Sequence, residues 1–167
     1  SPGDLAPRAA AIEQGNGLAN AFNVTAFVLR DLEAQITGAI DQEVSEVNRL
    51  LSSLGSVNGK LRSSNLGASP PNALMDERDR LIAEVSKKVR ISVNYGPRHD
   101  VNVRLGENLT GPLLLDGETA QALQPIYGED NGVSYKLGSS KVVKILDDGG
   151  LRGLSTALSV IQDTQTQ

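Results

Sequence analysis

Between Leu29 and Leu61 apolar side chains recur every three or four residues: Leu29, Leu32, Ile36, Ile40, Val44, Val47, Leu51 and Leu54, with Val57 bridging the gap to Leu61. That spacing draws one narrow stripe along a helix, like the seam of a coiled coil. The other faces carry Asp31, Glu33, Gln35, Asp41, Glu43, Glu46 and Arg49. The period is readable from about Leu18 to Leu61, a rod of roughly 65 Å at 1.5 Å per residue. Such a rod has no interior, so the stripe predicts partner helices. Gly38, Gly55 and Gly59 each weaken it by roughly 1 kcal/mol against Ala, and the last two are expected to mark a fraying end. Residues 1–17, rich in Ala, Gly and Pro, read as a loosely ordered lead-in with a short helix at Pro7–Gln14.

SSNLGASPPN, residues 63–72, is a turn by composition. A second helix follows over about 72–89. Leu74, Leu81, Val85 and Val89 share one face, supported by Met75 and Ile82. Asp76 and Glu77 fall near its start and Lys87 and Lys88 near its end, as the helix dipole favours. The period then changes to two. Ile91, Val93 and Tyr95, the turn GPRHD at 96–100, and Val101, Val103 and Leu105 form a hairpin pattern. Further strands are expected at Leu113–Leu115, Ala122–Tyr127, Val133–Leu137 and Lys141–Leu146, closed by DDGG at 147–150. Leu151, Leu154, Leu158 and Ile161 resume a helical period, and the chain closes on IQDTQTQ inside it. The predicted class is α+β: an elongated helical bundle or coiled-coil domain over 1–89, an inserted small antiparallel β domain over 90–148, and a helix returning to the bundle over 149–167.

Composition narrows the chemistry. Aromatic residues are 3% of the 167, with no Trp, which suits thin cores in an elongated shape. Net charge is −4, against the basic face that nucleic acid requires and against an anionic membrane surface. No Cys is present, so neither disulfides nor thiol chemistry enter. No apolar run of membrane-spanning length and no cleavable signal peptide is visible.

The DERDR run at 76–80 is the one charge cluster with a catalytic look. Asp76 and Asp79 lie three apart, a spacing that can share a metal, but no His or further acid joins them at a matching distance. The interleaved arginines favour a structural reading, with Asp76 and Arg80 as an i,i+4 ion pair. His99 is the lone histidine and sits in a hairpin turn, without a paired acid. GSVNGKL at 55–61 lacks the spacing and the Ser or Thr of a phosphate loop. No acid, base and nucleophile assemble, so no enzyme, metal or cofactor is expected.

PNALMDERDRLIAEVSKKVRISV, residues 71–93, resembles the flagellar hook-associated proteins of the FlgK type, which form the junction between hook and filament. Asn72, Leu74, Asp76, Arg78, Asp79 and Leu81 match that family's Asn-x-Leu-Leu-Asp-x-Arg-Asp-x-Leu segment, with Met75 where Leu is usual. LAPRAAAIEQGNGLANAFN at 5–23, the helix over 29–61, HDVNVRLGENLTGPLLLDGETAQAL and GGLRGLSTALSVIQD at 149–163 are similar to its flanking segments in the same order. The resemblance implies a structural protein exported through the flagellar type III channel to the cell exterior. It implies partners in copies of itself, in hook protein and in the adjoining filament-side hook-associated protein. The family's terminal, polymerising segments lie outside this chain, so the isolated chain is expected to be a monomer. With no ligand or nucleophile joining the run, Asp76, Arg78 and Asp79 are read as anchors that fix the second helix against the long one. The alternative is an extracellular helical-stalk binding module or adhesin whose β domain recognises a ligand. Hook protein and the second junction protein are rivals within the structural class.

Overall fold

The computed structural model describes residues 5–64, 71–128, 132–139, 141–143 and 149–165. Helix α1 (Leu5–Ser63) is unbroken over 59 residues, roughly 90 Å at 1.5 Å per residue. It absorbs the expected lead-in from Leu5 onward, and the reason is local. Pro7 falls in the first turn, where N–H groups have no intrahelical partner anyway. Gly15 and Gly17 lower helix stability without blocking the helical backbone.

Helix α2 (Asn72–Lys88) and helix α3 (Gly150–Gln165) both pack on α1. The Lys88 ammonium lies 2.8 Å from the Glu43 carboxylate, and Gln162 donates to Glu33 at 2.9 Å. Helix α3 therefore takes over the covering of α1 where α2 leaves off. The chain departs at Val89 and returns at Gly149, which has φ +106 and lies so close that a Cβ there would stand 2.6 Å from the Lys88 carbonyl oxygen. Asp76 and Glu77 are the fifth and sixth residues of α2, past its first turn, so the dipole argument does not reach them. Lys87 and Lys88 do occupy its last turn.

The excursion forms two antiparallel sheets. Strands β1 (Ile91–Tyr95), β2 (Val101–Leu105), β3 (Leu113–Asp116) and β4 (Thr119–Ala120) lie side by side in that order. Strands β5 (Leu123–Gly128), β6 (Gly132–Leu137) and β7 (Lys141–Val143) form the second sheet. Ile91 faces Leu105 and Tyr95 faces Val101 across the first hairpin; Leu123 faces Leu137 in the second sheet. Alternation is clear: Val101, Val103 and Leu105 are buried, as are Val133, Tyr135 and Leu137, with intermediate residues between them. Two-residue β4 is too short to carry a period of two, and the sequence pattern did not suggest it. The expected turn over 63–72 loses Ser63 to α1 and Asn72 to α2; its residues 65–70 and the segment 144–148, with the end of the last predicted strand and the start of DDGG, lie outside the described residues.

One apolar cluster joins all of this. It runs from Ile40, Val44, Val47, Leu51, Leu54 and Leu61 on α1 through Leu81 and Val85 on α2, Val103, Leu115, Leu123 and Tyr135 on the sheets, to Leu151 and Leu158 on α3. The stripe is thus covered from Ile40 onward, with Ile36 packed at its margin. Leu29 is half-buried, and Leu32 is 41% exposed, because α3 leaves that side of α1 partly open. Replacing Leu51 with Ala should lower unfolding free energy by about 3 kcal/mol through the cavity left behind. Replacing Leu18, on the bare part of the same helix, should change it by no more than about 0.5 kcal/mol. Denaturant titration of the two variants measures the contrast, and equal losses would contradict the packing described.

Candidate functional site along the long helix

The distinctive chemistry of this chain lies where α1 grips the sheets. Asn58 is fully buried in the apolar stripe. Its Nδ2 donates to the carbonyls of Val101 at 2.7 Å and Gly117 at 2.6 Å, and its Oδ1 accepts the Val101 N–H at 3.0 Å. Asn48 treats Leu123 alike: Nδ2 donates to its carbonyl at 2.8 Å and Oδ1 accepts its N–H at 2.8 Å. Each amide thus pairs with both backbone groups of one strand residue, as a neighbouring strand would. One asparagine holds each sheet. A buried amide with its bonds made is tolerated, whereas a stranded one costs about 1–3 kcal/mol.

On either side of Asn58 the helix is shaved to fit. A Cβ at Gly55 would stand 2.5 Å from the Glu118 carbonyl oxygen, and one at Gly59 would meet the Glu118 side chain at 3.0 Å. Gly55 seats the β3–β4 turn through close backbone approach, for which only glycine leaves room, and Gly59 lies against the Glu118 side chain; neither marks a frayed end, since α1 runs on to Ser63. Gly117, with φ +57, opens that turn as a type II′ hairpin turn requires, and its N–H donates to Asn102 Oδ1 at 2.7 Å. Below it, Arg62 pairs with the buried Asp100 at 2.7 Å.

The 76–80 run divides by face. Arg78 is buried, 7% exposed. Its guanidinium pairs with Asp79 at 2.7 Å, donates to the His99 carbonyl at 2.7 Å and lies 5.0 Å from the centre of the Tyr95 ring. It thus anchors α2 to the β1–β2 hairpin, where His99 has φ +63; the anchorage expected against α1 is made instead by Leu81, Val85 and the Lys88–Glu43 pair. Arg80 pairs with Glu77 at 2.7 Å and not with Asp76, since the i,i+3 neighbour offers a bidentate fit. That hydrogen bonding holds the Glu77 carboxyl below its usual range. Asp76 and Asn72 are exposed, Leu74 is half-buried and Leu81 is in the core. Among the described residues no three of His, Asp or Glu converge as a metal would need, and no helix is long and apolar enough to cross a membrane.

The outward face of α1 is polar and shallow. Asp41, Gln42, Ser45, Glu46 and Arg49 line a surface depression there, and Glu46 pairs with Arg49 at 2.7 Å. At the edge of the second sheet the Tyr127 hydroxyl donates to Asp41 at 2.7 Å. Burial, with the Asp41 carboxylate behind it, raises the Tyr127 pKa; burial also raises that of Tyr135, whose hydroxyl shares a hydrogen bond with Ser155 at 2.9 Å. The stripe and the 72–81 motif are visible in sequence, but the Asn48 and Asn58 clamps are not. Their signal is faint: a polar residue set beside the stripe, and two glycines four apart.

Comparison with known proteins is informative over the whole chain. A sequence model of the family described as the flagellar hook-associated protein FlgK helical domain matches residues 1–167. Flagellar hook-associated protein 1 of Salmonella typhimurium is 30% identical over 163 residues, covering 92% of this chain and 29% of the relative. The Escherichia coli K12 protein of that name gives the same values, and that of Bacillus subtilis is 32% identical over 88 residues, 53% of this chain and 17% of the relative. The solved structure of the flagellar hook junction protein FlgK from Burkholderia pseudomallei superimposes with a TM-score of 0.70 over 98% of this chain and 29% of its own, at 19% identity, a likeness of fold. The chain spans under a third of the length of these relatives.

Gly55→Ala should destabilise by about 2 kcal/mol through overpacking, although Ala is the better helix former. Gly38→Ala, where a Cβ meets nothing within 4 Å, should stabilise by up to about 1 kcal/mol. Thermal unfolding that gave both variants the same sign would refute the seat at Gly55. Because both tyrosine pKa values are raised in the fold, their contribution to stability is whole below about pH 10, the ordinary tyrosine value. It is lost as pH rises from there through the folded values. Replacing Tyr127 and Tyr135 together with Phe should flatten the alkaline limb of a stability-against-pH curve, and an unchanged limb would count against these assignments.

Proposed function

Because this chain belongs to the FlgK helical-domain family of flagellar hook-associated proteins, we propose that it is a structural element of the junction joining hook to filament. The family match across residues 1–167 carries the reading. The junction role is proposed for the whole protein, of which this chain supplies the helical region with its β insertion. Its partners in that role are copies of itself, hook protein and the adjoining filament-side protein. It works outside the cell after passage through the flagellar export channel, and it performs no catalysis.

The physical build supports this reading. A junction must pass torque without yielding, and one continuous core ties α1, α2, α3 and both sheets into a block. Clamps at Asn48 and Asn58 fix the sheets to the shaft at two heights. Lateral contacts then fall to the outward polar face of α1 and to the loops of the sheets. Glu43 is engaged with Lys88 inside the block, which leaves Glu46 and Arg49 as the face available to neighbours.

Exchanging these two charges, as Glu46→Arg with Arg49→Glu in the full-length protein, keeps an i,i+3 pair and reverses the pattern presented outward. The expected result is impaired filament attachment and reduced swimming with an unaltered melting temperature. Normal motility and attachment would sink the proposed contact face.

A further inference from the structure

Asn58 and its neighbour Gly59 each serve a different part of the docked first sheet. The Asn58 carboxamide is fully buried and makes three hydrogen bonds, donating to the carbonyls of Val101 and Gly117 and accepting from the Val101 N–H. Gly59 leaves room for the Glu118 side chain, which a Cβ would meet at 3.0 Å. Packing thereby sets an asparagine directly before a glycine. In an unfolded chain that order is chemically labile. The glycine nitrogen, with no Cβ beside it to restrict the backbone, closes readily on the asparagine side chain.

We propose that Asn58–Gly59 is a site of spontaneous deamidation that the folded clamp keeps inert. The backbone nitrogen of Gly59 attacks Cγ of Asn58. A bond forms between that nitrogen and Cγ, the Cγ–Nδ2 bond breaks, and ammonia leaves with the proton that the Gly59 nitrogen gives up. Water then opens the cyclic imide. Breaking the new bond to Cγ leaves aspartate, and breaking the bond to the backbone carbonyl leaves an isoaspartyl linkage. No oxidant or reductant takes part.

The fold opposes the first step twice. Gly59 lies within α1, so its nitrogen is tied into the helix ladder and turned away from the Asn58 side chain. The carboxamide itself is held by the first sheet through both its nitrogen and its oxygen. Asn48, which clamps the second sheet, is followed by Arg49 and lacks this liability. The product cannot rebuild the clamp. Aspartate at this position has no N–H for the Val101 and Gly117 carbonyls, which lie 2.7 and 2.6 Å from Nδ2, and its carboxylate would be buried facing both oxygens. An isoaspartyl linkage adds a methylene to the backbone of α1 and breaks its ladder. Time spent unfolded is thus recorded at one residue, in chains that can no longer seat their first sheet. The inference rests on the clamp and stands apart from the junction role.

Timed incubation of the chain in mildly alkaline buffer, with and without guanidinium chloride above the unfolding midpoint, tests it by peptide mapping with mass spectrometry. In denaturant the Asn58–Gly59 peptide should deamidate as fast as the Asn16–Gly17 peptide, and the Asn48–Arg49 peptide far more slowly. Without denaturant Asn58 should be protected at least about a hundred-fold. Gly59→Ala should slow the reaction in denaturant by roughly ten-fold, since its Cβ restricts ring closure. After removal of denaturant, chains modified at Asn58 should collect in the unrefolded pool, whereas chains modified at the exposed Asn16 should divide as unmodified ones do. Equal rates at Asn58 with and without denaturant, an unchanged rate in Gly59→Ala, or modified Asn58 in refolded chains of normal stability would overturn the proposal.

Discussion

A single helix has no inside. An apolar stripe on a 59-residue helix must be covered by something else, and every later element of this chain does that work. Helix α2 runs back along α1 from its C-terminal end to Glu43. Helix α3 continues to Glu33 and beyond. Between them the chain leaves at Val89, builds two sheets and returns at Gly149 beside its point of departure. The excursion interrupts the sequence of the covering layer without interrupting the layer in space. The sheets then lend Val101, Leu115, Leu123 and Tyr135 to the same core.

Apolar burial is non-directional, so by itself it does not say where a sheet sits on a helix. Directional bonds supply that. Asn48 and Asn58 each offer a donor and an acceptor to one strand residue, and a shift of one residue along either strand would break both bonds, which at the fully buried Asn58 leaves an amide stranded. Gly55 adds a steric key, because the β3–β4 turn fits only where the helix lacks a Cβ. Arg78 does for α2 and the first hairpin what the asparagines do for α1, with its charge answered by Asp79, the His99 carbonyl and the Tyr95 ring. The core thus supplies most of the stability, and a few polar groups supply the register.

The buried Asn58, Arg78 and Asp100 bond to backbone or to an opposite charge, and exposed charges form i,i+3 pairs along helices at Glu46–Arg49, Glu77–Arg80 and Glu84–Lys87. Such exposed pairs add little to stability. Their value is in patterning a surface, which fits the family to which the chain belongs.

Periodicity alone determined the element types: the helical stripe, the change to a period of two after Val89, and the return of helical spacing at Leu151. It read these well because the pattern records which side of each element meets water. The 72–81 motif was legible through the family resemblance and not through the period. Periodicity misjudged the start of α1, since burial patterns vanish where a helix is bare, and it read Gly55 and Gly59 as weakness. Only the tertiary structure decided what those glycines face, which strand residues Asn48 and Asn58 hold, and that Arg78 turns toward the hairpin while Arg80 takes Glu77. These choices depend on groups far apart in the chain, 43 residues for Asn58 and Val101 and 75 for Asn48 and Leu123, and no local spacing encodes a contact over that distance.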